Sequence, residues 1–195
     1  MEFVTAADTP NPSMLIVGED YHDQVRRHAY YFTAKLGMKC AYICLESEPM
    51  LNVRSMLSLA TGIPEKVLSS GKIPPRYFPE LNDGARELHH CDCWFYDGPR
   101  DLAGVISLAK YLKKTEGAEV IVIDALHRIE FEPGKLSSPS QHRFISEVLC
   151  SVAHVGELTV VAGYNRPHVP FPDLVADSVS YCEPLDKGIA ARTIN

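Results

Sequence analysis

The chain has 195 residues, 46% of them hydrophobic and 23% charged, with a formal net charge of −6 and a pI near 5.7. That length suits one domain with a sizeable core, and the acidic balance excludes a general electrostatic attraction to nucleic acid, so that any such contact must be local. No apolar run approaches the roughly 18 residues of a membrane span, and the six cysteines form no CxxC pair with zinc spacing, which reads as reduced core thiols in a cytoplasmic protein.

Taken in chain order, residues 1–12 (MEFVTAADTPNP) are polar and proline-bearing, without the basic-then-apolar order of a secretory signal, and are expected to be flexible. A single domain is expected over residues 13–195. Its first strand is predicted at Met14–Val17. Val25, Ala29, Phe32 and Leu36 then recur at spacings of four, three and four and predict a helix closed by Gly37. A strand follows at Cys40–Leu45, helices at Pro49–Ala60 and Pro79–His89, and a strand at Cys93–Tyr96. The run His89-His90-Cys91-Asp92-Cys93 carries metal-ligand types, but successive strand side chains face opposite sides, so one cysteine face is expected in the core and no metal is expected. Further on, the pattern predicts a helix at Asp101–Glu116, a strand at Val120–Asp124, a loop at Phe131–Pro139, a helix at Ser140–Val155 and a strand at Leu158–Gly163. Weaker strands are predicted at Ser178–Cys182 and Gly188–Arg192. Such alternation argues an α/β fold with a mostly parallel central sheet and helices on both faces.

Five segments, in order, carry a resemblance. These are ICLESE (residues 43–48), SGKIPPRYFPELNDGARELHHCDCWFYDGP (70–99), VIVIDALHRI (120–129), VVAGYNRP (160–167) and ADSVSY (176–181). Together they resemble the RecA-like C-terminal domain of DnaB-type replicative DNA helicases over about residues 13–192. The resemblance implies a RecA-like P-loop NTPase fold. It aligns Glu46 with the glutamate that polarises the attacking water and Asp124 with the Walker B aspartate that supports magnesium.

One departure decides the functional expectation. In that family the first strand enters a glycine-rich loop ending Gly-Lys-Thr, which cradles phosphates and magnesium. Here the strand runs into Gly18-Glu19-Asp20-Tyr21-His22-Asp23-Gln24, with neither the lysine nor the hydroxyl. A helix N-terminus attracts anions, and Glu19, Asp20 and Asp23 oppose a phosphate there; Asp20 or Asp23 is expected to cap the helix instead. Glu46 and Asp124 are therefore expected to be vestigial catalytic positions, with no cofactor bound.

The expected function is that of a non-catalytic interaction or regulatory module in DNA replication or recombination. Its partner would be a protein of that machinery or a second copy of the chain. The alternatives are an ATP-independent single-stranded DNA-binding accessory and an enzyme with residual nucleotide chemistry, for which ATP and magnesium would be the cofactors. Arg143 and Arg166 are the candidates for a weak single-strand contact, among scattered basic residues that include Arg128, Lys135 and His142. Phe131, Phe144 and Phe171 are expected to be core or loop anchors. Arg192, in GIAART, resembles the residue that reaches a neighbouring subunit, and self-association would not depend on nucleotide.

Overall fold

The computed structural model describes residues 12–132, 135–136, 138–165, 174–182 and 192–194. Its centre is a sheet built from β1 (Ser13–Gly18), β2 (Cys40–Cys44), β3 (Cys93–Asp97), β4 (Val120–Ile123), β7 (Thr159–Tyr164), β8 (Ser178–Cys182) and β9 (Arg192–Ile194). Between β4 and β7 a short antiparallel ribbon pairs β5 (Glu130–Glu132) with β6 (Lys135–Leu136). The order across the main sheet is β3-β2-β4-β7-β1-β8-β9, with six strands parallel and β9 antiparallel to β8. Every residue of β1, β2, β4 and β7 is buried, as expected of parallel strands covered on both faces, whereas the edge strand β3 is mostly half-buried.

The alternation of side chains along each strand divides the interior into two layers. Leu15, Val17, Ala41, Ile43, Ile121 and Ile123 face α5 (Leu102–Thr115) and α6 (Pro139–Gly156). Met14, Ile16, Tyr42, Val120 and Val122 face α1 (Tyr21–Tyr30), which contributes Tyr21, Val25 and Ala29. The helix expected from the spacing of apolar residues is present, but Leu36 lies off its buried face. After Tyr30 the backbone opens into a π-helical turn, Tyr31–Lys35, whose wider winding rotates Leu36 into solvent at 49% exposure. α2 (Pro49–Thr61) ends on Gly62 in the left-handed conformation, φ 70°, and packs against α4 (Phe78–His89), where Gly84 lets the Thr61 methyl group come close.

Two features depart from the sequence pattern. A five-residue helix, α3 (Glu65–Ser69), lies between α2 and α4 without an apolar period of its own. The stretch expected to be a loop at 131–139 carries the β5–β6 ribbon and the start of α6, where the Gln141 side chain reaches back to the Ser138 N–H at 2.7 Å. Phe131 and Phe144 are not buried anchors: they meet edge to face at 5.7 Å, and both are nearly half exposed. Cys93 packs against the α1-side layer, matching the expected inward cysteine face. The second weak strand is displaced, occupying Arg192–Ile194 where Gly188–Arg192 was expected; positions 188–191 and 1–11 lie outside the described residues. Among the described residues no helix is long and apolar enough to cross a membrane.

Candidate functional site

The C-terminal ends of β1, β2, β4 and β7 form the rim where ligands of open α/β sheets bind. Glu46 follows β2 and Asp124 follows β4, so the fold brings together the two carboxylates that the sequence places 78 residues apart.

Asp124 is wholly buried, and its carboxylate is engaged on every side. Oδ1 accepts the Leu45 N–H at 2.7 Å, and Oδ2 accepts the Ser47 N–H at 2.8 Å and the Ser47 hydroxyl at 2.6 Å. The Glu46 N–H lies 3.3 Å from both oxygens. Three successive backbone amides thus wrap one carboxylate as a nest wraps an anion. A carboxylate offers about four lone-pair sites, and these donors fill them, leaving none for a cation or its water. The hydroxyl of Ser47 passes the connection on: the Asn52 amide donates to it at 2.8 Å, and Arg26 Nε donates to Asn52 Oδ1 at 2.8 Å, tying α1, α2 and the β2 loop together.

Glu46 points away from this nest into a cluster drawn from α1 and from the 3-10 turn Leu126–Arg128. The Tyr21 hydroxyl donates to Oε2, and the Arg128 guanidinium donates to Oε1 through Nη2 and, at 2.9 Å, through Nε. His22 Nε2 and His127 Nε2 lie 3.3 and 3.5 Å from Oε2. Burial by itself would raise the Glu46 pKa, but the hydrogen bonds from Tyr21 and Arg128 and the neighbouring positive charge hold it at about 2. The same contacts push Tyr21 upward, burial first and the Glu46 carboxylate second. Arg128, one of the basic residues considered for a strand contact, is thus committed to Glu46.

Tyr21 is the residue that closes the rim. It is 1% exposed, and its ring lies over Gly163 of β7: a Cβ at that glycine would sit 2.5 Å from Tyr21 Cδ2 and 2.9 Å from Val25 Cγ2. Aromatic neighbours continue inward. Tyr21 meets His127 edge-on at 5.8 Å, His127 meets Tyr164 at 5.9 Å, and the Tyr164 hydroxyl lies 3.0 Å from Nδ1 of the buried His142. Tyr21, His22 and Tyr164 carry no motif of their own. Their only sequence signal is a polar aromatic placed at or just after a strand end.

The acidic turn behaves differently from expectation. Asp20 occupies the N-cap position of α1, yet its side chain makes no capping hydrogen bond, and Asp23 turns to Arg27 one helical turn on at 2.6 Å. The turn is held by Tyr21 and Glu46 rather than by a carboxylate cap, because a buried phenol on Gly163 fixes the entry to the helix more firmly than an exposed cap. Arg143 lies on α6 and pairs with Glu147 at 3.0 Å. Arg166 and the side chain of Arg192 lie outside the described residues. This set of residues does not fit a magnesium nucleotide: Asp124 has no free lone pair, Glu46 is bound by an arginine, and a phenol fills the space above β7.

The cluster makes the protein acid-sensitive. Burial, aided by Arg128 and the other histidines, lowers the His127 pKa from 6.5 to about 4. The unfolded chain therefore takes up the proton first, so the stability linked to neutral His127 is complete above its unfolded pKa and is lost as pH falls toward 4. His22, lowered by burial and by Arg26, acts in the same direction. Glu46, depressed instead from 4.5 to about 2, adds a second loss over that lower window. The His127 step is expected to be worth on the order of 2 to 3 kcal/mol. Urea midpoints of the native chain and of His127→Gln, measured at about pH 7 and about pH 4.5, check it: the variant should lose markedly less stability on acidification, and identical losses would refute the assignment.

No protein-family model matches the chain, and no curated protein matches it in sequence. Solved structures do share its architecture. The chain superposes on the isolated ATPase domain of one DnaB-like helicase with a TM-score of 0.74 at 16% identity, covering 91% of this chain and 71% of that one. It superposes on a second DnaB-like replicative helicase, solved together with its interactions with primase, with a TM-score of 0.72 at 14% identity, covering 93% of this chain and 49% of that one. The fold is therefore the RecA-like one of DnaB-type helicase ATPase domains, and the chain spans about half the length of the second of these proteins.

Proposed function

We propose that this RecA-like domain is a non-catalytic interaction or regulatory module of DNA replication or recombination. The observation that carries the proposal is the internal commitment of both carboxylates at the sheet rim: Asp124 to the Leu45-Glu46-Ser47 amides and Glu46 to Tyr21 and Arg128. Catalysis of phosphoryl transfer requires those groups to face magnesium and water, and here they face the protein. A partner from the replication machinery is the part of the proposal taken from the fold, since one solved relative in fold was studied with primase.

Isothermal titration with ATP and magnesium tests the first half. The expected outcome is no affinity tighter than about millimolar and no turnover, because a triphosphate would have to expel Tyr21 and meet Glu19 and Asp20 without a lysine. Micromolar binding would overturn the proposal. Recovery of a helicase, primase or polymerase with the tagged chain from its own cells tests the second half; recovery of a constant set of partners unrelated to DNA metabolism would move the module to another pathway.

A further inference from the structure

At the opposite edge of the sheet, three side chains of metal-ligating chemistry converge. Cys150 and His154 stand four residues apart on α6, a spacing that places them together on one helix face. Asp177 immediately precedes β8. His154 Nδ1 lies 4.0 Å from Cys150 Sγ, while its Nε2 lies 3.1 and 2.9 Å from the two carboxylate oxygens of Asp177. One ligand atom from each residue comes within 4.8 Å of the others, and among the described residues no other group of three such side chains does so.

The carboxylate is held in place before any cation arrives. Asp177 Oδ2 accepts the Ser13 N–H at 2.7 Å and the Ser13 hydroxyl at 2.9 Å, and the Asp177 N–H donates back to that hydroxyl at 3.0 Å. Asp177 is thereby fixed to the first residue of β1, and His154 is oriented by Asp177. Orientation of an imidazole by a carboxylate is the support that metal-binding histidines ordinarily have.

We propose that Cys150, His154 and Asp177 form a binding site for a divalent transition-metal ion of zinc's class. A thiolate, an imidazole and a carboxylate make a borderline-soft donor set, which favours zinc or cobalt over magnesium or calcium. Side-chain exposures of 45% for His154 and 19% for Asp177 give the ion an entry path and leave a further coordination position to water. Binding releases the Cys150 thiol proton, and the ion takes the place between His154 and Asp177 that a shared proton holds in its absence. The same three residue types also make a thiol nucleophile with its base and orienting acid, but the cavity beside Cys150 measures only about 10 Å³, too small to seat a substrate. A bound ion would clip the last turn of α6 to the start of β8 and, through Ser13, to β1. This site lies away from the rim that carries Glu46, and it stands or falls independently of nucleotide binding there.

Cobalt(II) is the probe, added to the full chain after chelator treatment and in a phosphine reductant. The expected result is a thiolate-to-cobalt charge-transfer band that saturates at one equivalent and is displaced by zinc. Cys150→Ser abolishes the band, His154→Ala weakens binding at least about 100-fold, and Asp177→Asn weakens it about 10- to 100-fold. Cys93→Ser, in β3, leaves it unchanged. Zinc also raises the unfolding temperature of the native chain but not of His154→Ala, a readout that does not depend on the thiol. Absence of the band in the native chain, its persistence in Cys150→Ser, or unchanged affinity in either His154→Ala or Asp177→Asn would overturn the assignment.

Discussion

Asp124→Ala is expected to lower the free energy of unfolding by about 3 to 5 kcal/mol. The carboxylate is the common acceptor for the Leu45, Glu46 and Ser47 amides and for the Ser47 hydroxyl, and it is wholly buried. Its removal leaves those donors facing an alanine methyl group, and an unsatisfied buried donor costs about 1 to 3 kcal/mol. Donors nearer the surface recover some of that from water, which keeps the total below the simple sum. The sign of the effect discriminates between two roles. A carboxylate retained only as a former magnesium ligand would repel the nearby Glu46, and its neutralisation would leave stability unchanged or improved. Urea denaturation, read at constant slope so that the midpoint reports stability alone, makes the comparison; a loss below about 1 kcal/mol would remove Asp124 from the structural role.

Tyr21→Ala is expected to cost about 3 to 5 kcal/mol, the range for deleting a buried aromatic ring. The ring fills the space above Gly163 and touches Val25, and the sheet beneath is rigid, so the void does not collapse. Tyr21→Phe separates packing from hydrogen bonding. It keeps the ring and deletes only the donor to Glu46, at a cost of about 1 to 2 kcal/mol, given that hydrogen bonds to charged groups are the stronger ones. With that donor gone the Glu46 pKa should rise from its depressed value, which carbon-13 labelling of the glutamate carboxyl would follow through an acid titration. An unshifted Glu46 in Tyr21→Phe would contradict that hydrogen bond, and near-native stability in Tyr21→Ala would contradict the packing. Neither result depends on whether the chain ever meets a nucleotide.

The strands and most of the helices are legible in the chain alone, and the reason is local. MLIV, CAYIC, VIVI and VVAGY are apolar along their whole length because parallel strands are covered on both faces, so their burial is written in consecutive residues. The spacing of Val25, Ala29 and Phe32 announces the helix above them for the same reason, up to the π-helical turn that carries Leu36 away. The absence of a lysine and a hydroxyl after β1 is equally plain from consecutive residues, as is the pairing of Glu46 and Asp124 with two strand ends once the resemblance is drawn. What those carboxylates do follows only from how the strands assemble. Asp124 binds amides 77 to 79 residues away, and its nest exists only because β2 and β4 lie side by side and end together. Tyr21 is an ordinary residue in an acidic turn until β7 presents a glycine beneath its ring, and Asp20, placed where a cap belongs, is passed over because that ring already anchors the helix. Cys150 and His154 show their spacing in the sequence, but the carboxylate that faces them stands at the foot of β8, and only the closing of α6 over β1 and β8 brings the third ligand within reach. Contacts made along one strand or one helix turn leave a period in the chain; contacts made across strand ends leave none, because the sheet order that creates them is set by the packing of the whole core.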